Sequence, residues 1–187
     1  MSHPSRETST DSPTTSTQAS PANPWLFWGV LIAVVVLDLI TKAIAVYALK
    51  PEYMPHEILG NTLRLTLVYN PGAAFGLSFG GASRWIFTAL SIIALVILGR
   101  LYKSTREGDY ARTLALSLVC AGALGNLIDR FRSSRGVVDF IDVGINAHRW
   151  PTFNVADMGV SVGAALLAWV LLQEDRAAAR AVPAGQR

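Results

Sequence analysis

Four uninterrupted apolar stretches limit what this 187-residue chain can fold into. They cover residues 25–48, 85–102, 113–128 and 155–172. A helix rises about 1.5 Å per residue, and crossing a bilayer takes about 17–25 predominantly apolar residues. The first, second and fourth stretches fit that length, and the third is slightly short. Any one of them alone would suit a buried helix of a soluble protein. Four in so small a chain predict a membrane α-helical fold, a bundle of four spans. Composition agrees, because only 16% of residues are charged where a soluble domain carries about 25%.

The same numbers argue against several other classes. A net charge of +3 is mildly basic, but the Lys and Arg residues form no run or stripe, so nucleic acid is not an expected partner. Cys120 is the single cysteine and lies inside an apolar stretch, which excludes a disulfide framework and a cysteine-based zinc site. His3, His56 and His148 are scattered without metal-ligand spacing. No serine occupies a nucleophile elbow. No metal and no organic cofactor are called for.

Residues 1–24 hold six Ser, five Thr and four Pro, with no apolar residue larger than Ala after Met1. Such a segment buries too little surface to offset its ordering entropy and predicts a disordered tail. It lacks the apolar core of a signal peptide. Asn23-Pro24 leads into the first span and Pro51 follows it; Ser83 and Asn154 are candidate N-caps for the second and fourth. Residues 173–187 form a C-terminal tail.

Residues 103–112 make a short charged turn, whereas 49–84 and 129–154 are long. Thr62-Leu63-Arg64-Leu65-Thr66-Leu67-Val68-Tyr69 alternates polar and apolar residues, the period of a half-buried strand. Residues 136–143, rich in Val, Phe and Ile, also read as extended. Four spans put both long loops on one side of the membrane, where two extended pieces can pair over the helix ends. Arg100, Lys103, Arg106 and Arg112 crowd the short turn. The positive-inside rule weights such short, dense loops and so leans towards cytoplasmic termini and outward-facing long loops.

Nearly every unusual polar group lies in or beside those two loops. Ionisable groups at membrane depth are costly and commonly functional, so this face carries the candidate site. Asp38 and Lys42 stand at i and i+4 on one helix face and read first as a neutralising pair that anchors a neighbour. Asp129 ends the third span where the helix dipole disfavours an anion, and Arg130 beside it can compensate. Asp139 is flanked by Val137-Val138 and Phe140-Ile141 with no adjacent cation. Desolvation of that kind raises a carboxyl pKa and suits a general acid. Asp157 follows Asn154 by three residues, an ordinary capping position whose dipole favours the ionised form and suits a general base. Two carboxyls in contrasting environments describe an acid/base pair able to activate water on a peptide carbonyl. Asp142 competes for either role, and spacing does not exclude it. A proton-coupled transporter relaying through Asp38 and Lys42 would be expected to carry repeated, broken half-helices, which are absent from the sequence pattern. A non-catalytic membrane chaperone would make every one of these acids structural.

Asp38-Leu39-Ile40-Thr41-Lys42, Asn70-Pro71-Gly72-Ala73-Ala74-Phe75, Gly122-Ala123-Leu124-Gly125-Asn126-Leu127-Ile128-Asp129-Arg130, Val137-Val138-Asp139-Phe140 and Phe153-Asn154-Val155-Ala156-Asp157 occur in that order. Together they resemble the lipoprotein signal peptidase, or signal peptidase II, family. The resemblance covers most of residues 25–172. It implies a bacterial inner-membrane aspartyl peptidase of four transmembrane helices with a small extracytoplasmic β-cradle built from the two long loops. Its implied substrates are prolipoproteins, cut just before a diacylglyceryl-modified cysteine, with membrane lipid around a monomeric enzyme. Both termini would be cytoplasmic and the site near the outer face. Carried over by motif, Asp139 and Asp157 would be catalytic, which resolves the competition from Asp142. Asn70, Gly72, Asn126, Asp129, Arg130, Asn154 and Ala156 would line or brace the site, and Asp38 and Lys42 would support it. Ala121 stands where the family often has Gly, and Val160 where it often has Ile.

Overall fold

Each apolar stretch is a helix in the computed structural model, which describes residues 23–72 and 80–181. Residues 1–22 of the tail expected over 1–24, the Ala73–Phe75 part of the Asn70 motif and residues 182–187 lie outside the described residues, and residues 173–181, expected as a tail, are helical instead. The helices are α1 (Pro24–Ala48), α2 (Ser83–Lys103), α3 (Tyr110–Arg132) and α4 (Val155–Ala181). All four are long and apolar enough to cross a membrane. Three of them run past their apolar cores, because the ends of a helix that leave lipid are free to continue in polar residues. Pro24 opens α1 in the first helical turn, where a missing N–H costs nothing. Asp109 caps α3 by accepting the Arg112 N–H at 3.0 Å. Ser83 is not a cap: a 3-10 turn at Gly80–Ala82 winds directly into α2, so Ala82 holds the cap position and Ser83 is the first helical residue.

Burial is arranged inside out relative to a soluble bundle. Ile32 and Ile44 of α1, Leu90 and Ile93 of α2, and Val162 and Trp169 of α4 are each more than half exposed, an apolar surface suited to lipid. The central helix is α3, with 56% of its most apolar window buried against 22%, 17% and 22% for α1, α2 and α4. It is also the least apolar of the four, with a mean hydropathy of 1.5 against 2.0–2.4. Small residues let α4 approach it. A Cβ on Gly122 would fall 2.2 Å from the Ala156 carbonyl oxygen, and one on Gly163 2.8 Å from that of Ala115. Backbones this close gain dispersion contacts that lipid tails cannot supply.

Polar contacts join the other helices. The Lys42 ammonium lies 2.7 Å from Asp38 Oδ2 on its own helix and 2.9 Å from Asp129 Oδ2 on α3, and donates to Asn126 Oδ1 at 3.0 Å. Two ion pairs and one hydrogen bond thus surround the ammonium. Asp38, fully buried, accepts the Ala156 N–H of the first turn of α4 at 2.9 Å through its other oxygen. The pair that reads in sequence as a local neutralisation thus ties α1 to both α3 and α4. The cation paired directly with Asp129 is Lys42, across the helix interface, while its neighbour Arg130 acts on it through its charge.

The two long connections meet in one antiparallel sheet of order β1-β2-β3-β4. Its strands are β1 (His56–Leu59), β2 (Leu63–Asn70), β3 (Val137–Ile145) and β4 (His148–Arg149). The two central strands are those expected, β2 from its alternation and β3 from its Val, Phe and Ile content, and their pairing places both loops on the same side of the bundle. Strands β1 and β4 are too short to show a period. They are recruited as hairpin partners of β2 and β3, the latter turning through Asn146 at φ 52°. Val138, Phe140 and Leu67 pack on Ala45 and Leu49, seating the sheet on the C-terminal end of α1.

Replacing Lys42 with Met should leave Asp38 and Asp129 buried without their cation. The expected loss is about 3–5 kcal/mol, read as a lowered unfolding midpoint in detergent. The triple variant Asp38→Asn, Lys42→Met, Asp129→Asn should recover most of it.

Candidate active site

Side chains on a strand alternate between its faces, so Asp139 and Asp142, three apart on β3, point to opposite sides of the sheet. Asp142 is claimed by cations. Arg64 approaches its Oδ2 at 2.8 and 3.0 Å, Arg149 donates to Oδ1 at 2.6 Å and the Thr66 hydroxyl to Oδ2 at 3.1 Å. Burial works to raise its pKa, but the bonds from Arg149, Arg64 and Thr66 prevail and hold the carboxyl below its usual range. Asp142 therefore pins β2, β3 and β4 together.

Asp139 has a different setting. It is 3% exposed, and among the described residues its two oxygens accept carboxamide protons, from Asn154 at 2.7 Å and Asn70 at 3.2 Å. Burial first, and the negative charge of Asp157 second, push its pKa up to about 7 against the lowering effect of both amides and of Lys42. The flanking apolar residues and the missing cation predict this direction from sequence. The neighbouring acid adds to it.

Asp157 takes the capping position expected of it, in reciprocal form. Its N–H donates to Asn154 Oδ1 at 2.9 Å, and its Oδ2 accepts the Asn154 N–H at 3.1 Å. The other oxygen is left for chemistry or support, and accepts from Asn126 Nδ2 at 2.7 Å.

The two asparagines are oriented by what they face. An ammonium can only donate, so Lys42 fixes the carbonyl end of Asn126 towards itself and the NH2 end towards Asp157. Asn154 likewise spends its carbonyl oxygen on the Asp157 N–H. Its NH2 group then faces Asn126 Oδ1 at 3.1 Å, the Val138 carbonyl at 3.2 Å and Asp139. A chain of hydrogen bonds runs from Lys42 through Asn126 to Asp157 and Asn154, and on to Asp139 and Asn70. Asn70 Oδ1 accepts the Gly72 N–H at 3.0 Å. Gly72 has φ +113°, and a Cβ there would press on Ser83 at 2.9 Å. Asp129 braces β3 through the Val138 N–H at 3.2 Å.

Arg130 makes no salt bridge among the described residues. Its guanidinium lies 5.8 Å above the Phe87 ring, its charge acts on Asp157, Asp139 and Asp129, and its buried Nε has no hydrogen-bond partner among the described residues. The Arg130 carbonyl accepts from Arg84 Nε at 2.7 Å. Asp139, Asp157, Asn70, Asn126 and Asn154 are thus joined directly. Gly72 and Lys42 stand one bond further out, Asp38 and Asp129 are reached through Lys42, Ala156 through Asp38, and Arg130 acts through its field. Sequence reasoning did not single out Arg84, Gly136 or the Arg64–Thr66–Arg149 set. The last follows from strand register, where Arg64 pairs with Asp142, and alternation alone does not supply register. Two grooves flank α1, one of about 170 Å³ lined by Thr41, Ile44, Ala48, Leu65 and Phe140, the other lined by Leu39, Lys42, Val46, Asp129 and Arg132. Neither is lined by Asp139 or Asp157.

A family model described as signal peptidase (SPase) II matches residues 30–173. The lipoprotein signal peptidase of Paraburkholderia phytofirmans is 40% identical over 164 residues, covering 87% of this chain and 92% of that protein. That of Burkholderia thailandensis is 42% identical over 158 residues, 83% and 91% of the two chains. A solved bacterial membrane enzyme, determined by the in meso method at 2.3 Å resolution, superposes with a TM-score of 0.74 at 30% identity, covering 84% of this chain and 93% of that one. A second, at 1.9 Å, gives 0.72 at 32% identity, with 81% and 96% covered. With most of its length matched by the family model and by these relatives, this multi-pass membrane protein belongs to the signal peptidase II family.

Proposed function

We propose that this protein is an aspartic endopeptidase that removes the signal peptide from prolipoproteins, cutting just before the diacylglyceryl-modified cysteine, with Asp139 and Asp157 as its working carboxyls. Family membership supports the general role in prolipoprotein processing. One observation carries the assignment of residues: two acids at one end of the bundle feel each other's charge, yet the hydrogen bonds to both carboxylates from Asn154, Asn70 and Asn126 come from uncharged N–H donors. With no cation bonded to either carboxylate among the described residues, the pair can hold one proton between them.

In the proposed mechanism a water sits between the two carboxyls. The ionised member takes a proton from the water as it attacks the scissile carbonyl, and the protonated member hydrogen-bonds to the developing oxyanion and then protonates it. The raised pKa of Asp139 suits the resting acid, while the capping bonds of Asp157 suit the resting base. The proton belongs to the pair, and its two apparent pKa values are shared. Arg130, whose buried Nε–H has no partner among the described residues, would donate through its guanidinium to a backbone carbonyl of the substrate. The lipid-facing surfaces of the helices suit a substrate that carries acyl chains. We further propose a bacterial inner-membrane location with both termini cytoplasmic and the sheet outside, consistent with the basic turn between α2 and α3.

Purified enzyme in detergent, given a lipidated prolipoprotein, tests the assignment. Asp139→Asn and Asp157→Asn should each reduce cleavage by at least about 10³-fold, in the range expected for loss of an acid/base group, while the protein stays folded. Asp142→Asn should weaken the sheet yet keep cleavage within about tenfold of wild type. Full activity in either dyad variant overturns the residue assignment. The pH dependence follows from Asp139. As pH rises through about 7 the pair loses its shared proton, and kcat/KM should fall about tenfold per unit above that. Stability moves the same way. A folded-state pKa above the unfolded value of about 3.9 contributes stability that is complete below that pH and lost as pH rises through about 7. The unfolding midpoint should therefore drop between about pH 4 and 7 in wild type and flatten in Asp139→Asn.

A further inference from the structure

The junction between α3 and β3 holds a residue that the mechanism does not use. Gly136 adopts φ +102°, and a Cβ built on it would lie 2.1 Å from the Asn70 carbonyl oxygen and 2.7 Å from Pro71 Cα. Both atoms are backbone, so no side-chain motion relieves the overlap, and the left-handed conformation is itself strained for a residue with a Cβ. Asn70 pairs with Val137 across the sheet and Val68 with Asp139. Asn70 and Asp139 are therefore diagonal neighbours on one face, close enough for their 3.2 Å bond.

The same glycine decides where Arg135 goes. In a regular strand Arg135 would share a face with Val137 and Asp139, bringing a guanidinium alongside the working carboxyl. Instead it lies 3.7 Å above the ring of Tyr69, whose strand partner is Val138 of the opposite face, and forms an ion pair with Glu52. Tyr53, next to Glu52, donates its N–H to the Leu67 carbonyl at 3.0 Å, so this clasp is continuous with β2.

We propose that Gly136 is a positioning residue for the site: its left-handed turn and bare Cα let the Asn70 backbone close over it, which seats the Asn70 amide on Asp139 and sends Arg135 to the far face of the sheet. This rests on the reading of Asp139 as a working carboxyl. Its geometric content is separate, and is tested without catalysis.

The experiment titrates the Asp139 carboxyl in the full-length protein in detergent, using 13C-carboxyl-labelled aspartate with the signal assigned by its absence in Asp139→Asn. Gly136→Ala should displace the Asn70 amide and move the Asp139 midpoint upward by about half to one unit, the size of one lost hydrogen bond to a carboxylate. The basic limb of the cleavage profile should move with it. Asn70→Ala should give a shift of the same sign and size. Arg135→Gln, at a half-exposed side chain, should leave the midpoint within about 0.2 units, because at the far face a guanidinium is screened from Asp139. An unchanged midpoint in Gly136→Ala overturns the proposal, as does a rise in Arg135→Gln comparable to that in Asn70→Ala. If Gly136→Ala does not accumulate, the Asn70 and Arg135 variants decide between these outcomes. A titration that behaves as described in an enzyme that cleaves nothing would refute the proposed function and leave the role of Gly136 standing.

Discussion

A single ammonium group inside the bundle has three acceptors around it, and the rest of the structure can be traced outward from that fact. Lys42 could not be placed at membrane depth alone. Burying an unpaired charge in a medium of low polarity costs far more than a fold of this size has in reserve. Asp38 neutralises it along α1, Asp129 does so from α3, and Asn126 accepts a hydrogen bond from it. The ion pair to Asp129 and the hydrogen bond to Asn126 link the positions of α1 and α3. Asp38 carries the linkage to the start of α4. A purely apolar interface would pack these helices equally closely, but it would tolerate sliding and rotation. Directed bonds do not.

That rigidity is passed on through amides rather than charges, and the choice of group matters. β3 carries two acids three residues apart, one held by two guanidiniums and one by two carboxamides. The first is locked in its ionised form and does structural work. The second keeps a proton to pH values where an ordinary carboxylate has none. Nothing in the backbone distinguishes the two positions except which face of the sheet they occupy. The asparagines give geometry without fixing ionisation, which is the combination an acid/base pair requires.

Much of this was legible beforehand, for identifiable reasons. Spans are long-period features set by bilayer thickness, so four apolar stretches sufficed to predict four helices. β2 shows its strand character by alternation, and β3 by its Val, Phe and Ile content, since its first four residues are all buried. The apolar flanks of Asp139 foretold its desolvation, and the spacing from Asn154 to Asp157 foretold a cap. Contacts between segments distant in sequence were hidden. The partner of Asp129 is 87 residues away on another helix, so its neighbour Arg130 looked like the compensating charge. The carboxylate of Asp142 gave no local sign that Arg64, 78 residues earlier, would reach it. Gly136 gives no local sign of its role, because a glycine before a strand is ordinary until a carbonyl lies against it.

The central position of α3 bears on how such a protein comes to be inserted. This helix is the least apolar of the four and presents Asn126 and Asp129 near one end. Alone in lipid those groups would have no partners, and the segment would gain little by leaving the aqueous channel that delivers it. Chain order supplies the remedy, since α1 precedes α3 and carries Lys42. By the time α3 emerges, an ammonium already stands at the depth where its amide and carboxylate arrive. The cluster that aligns the finished site is therefore also available earlier, as the receiving partner that lets a marginal span enter the membrane.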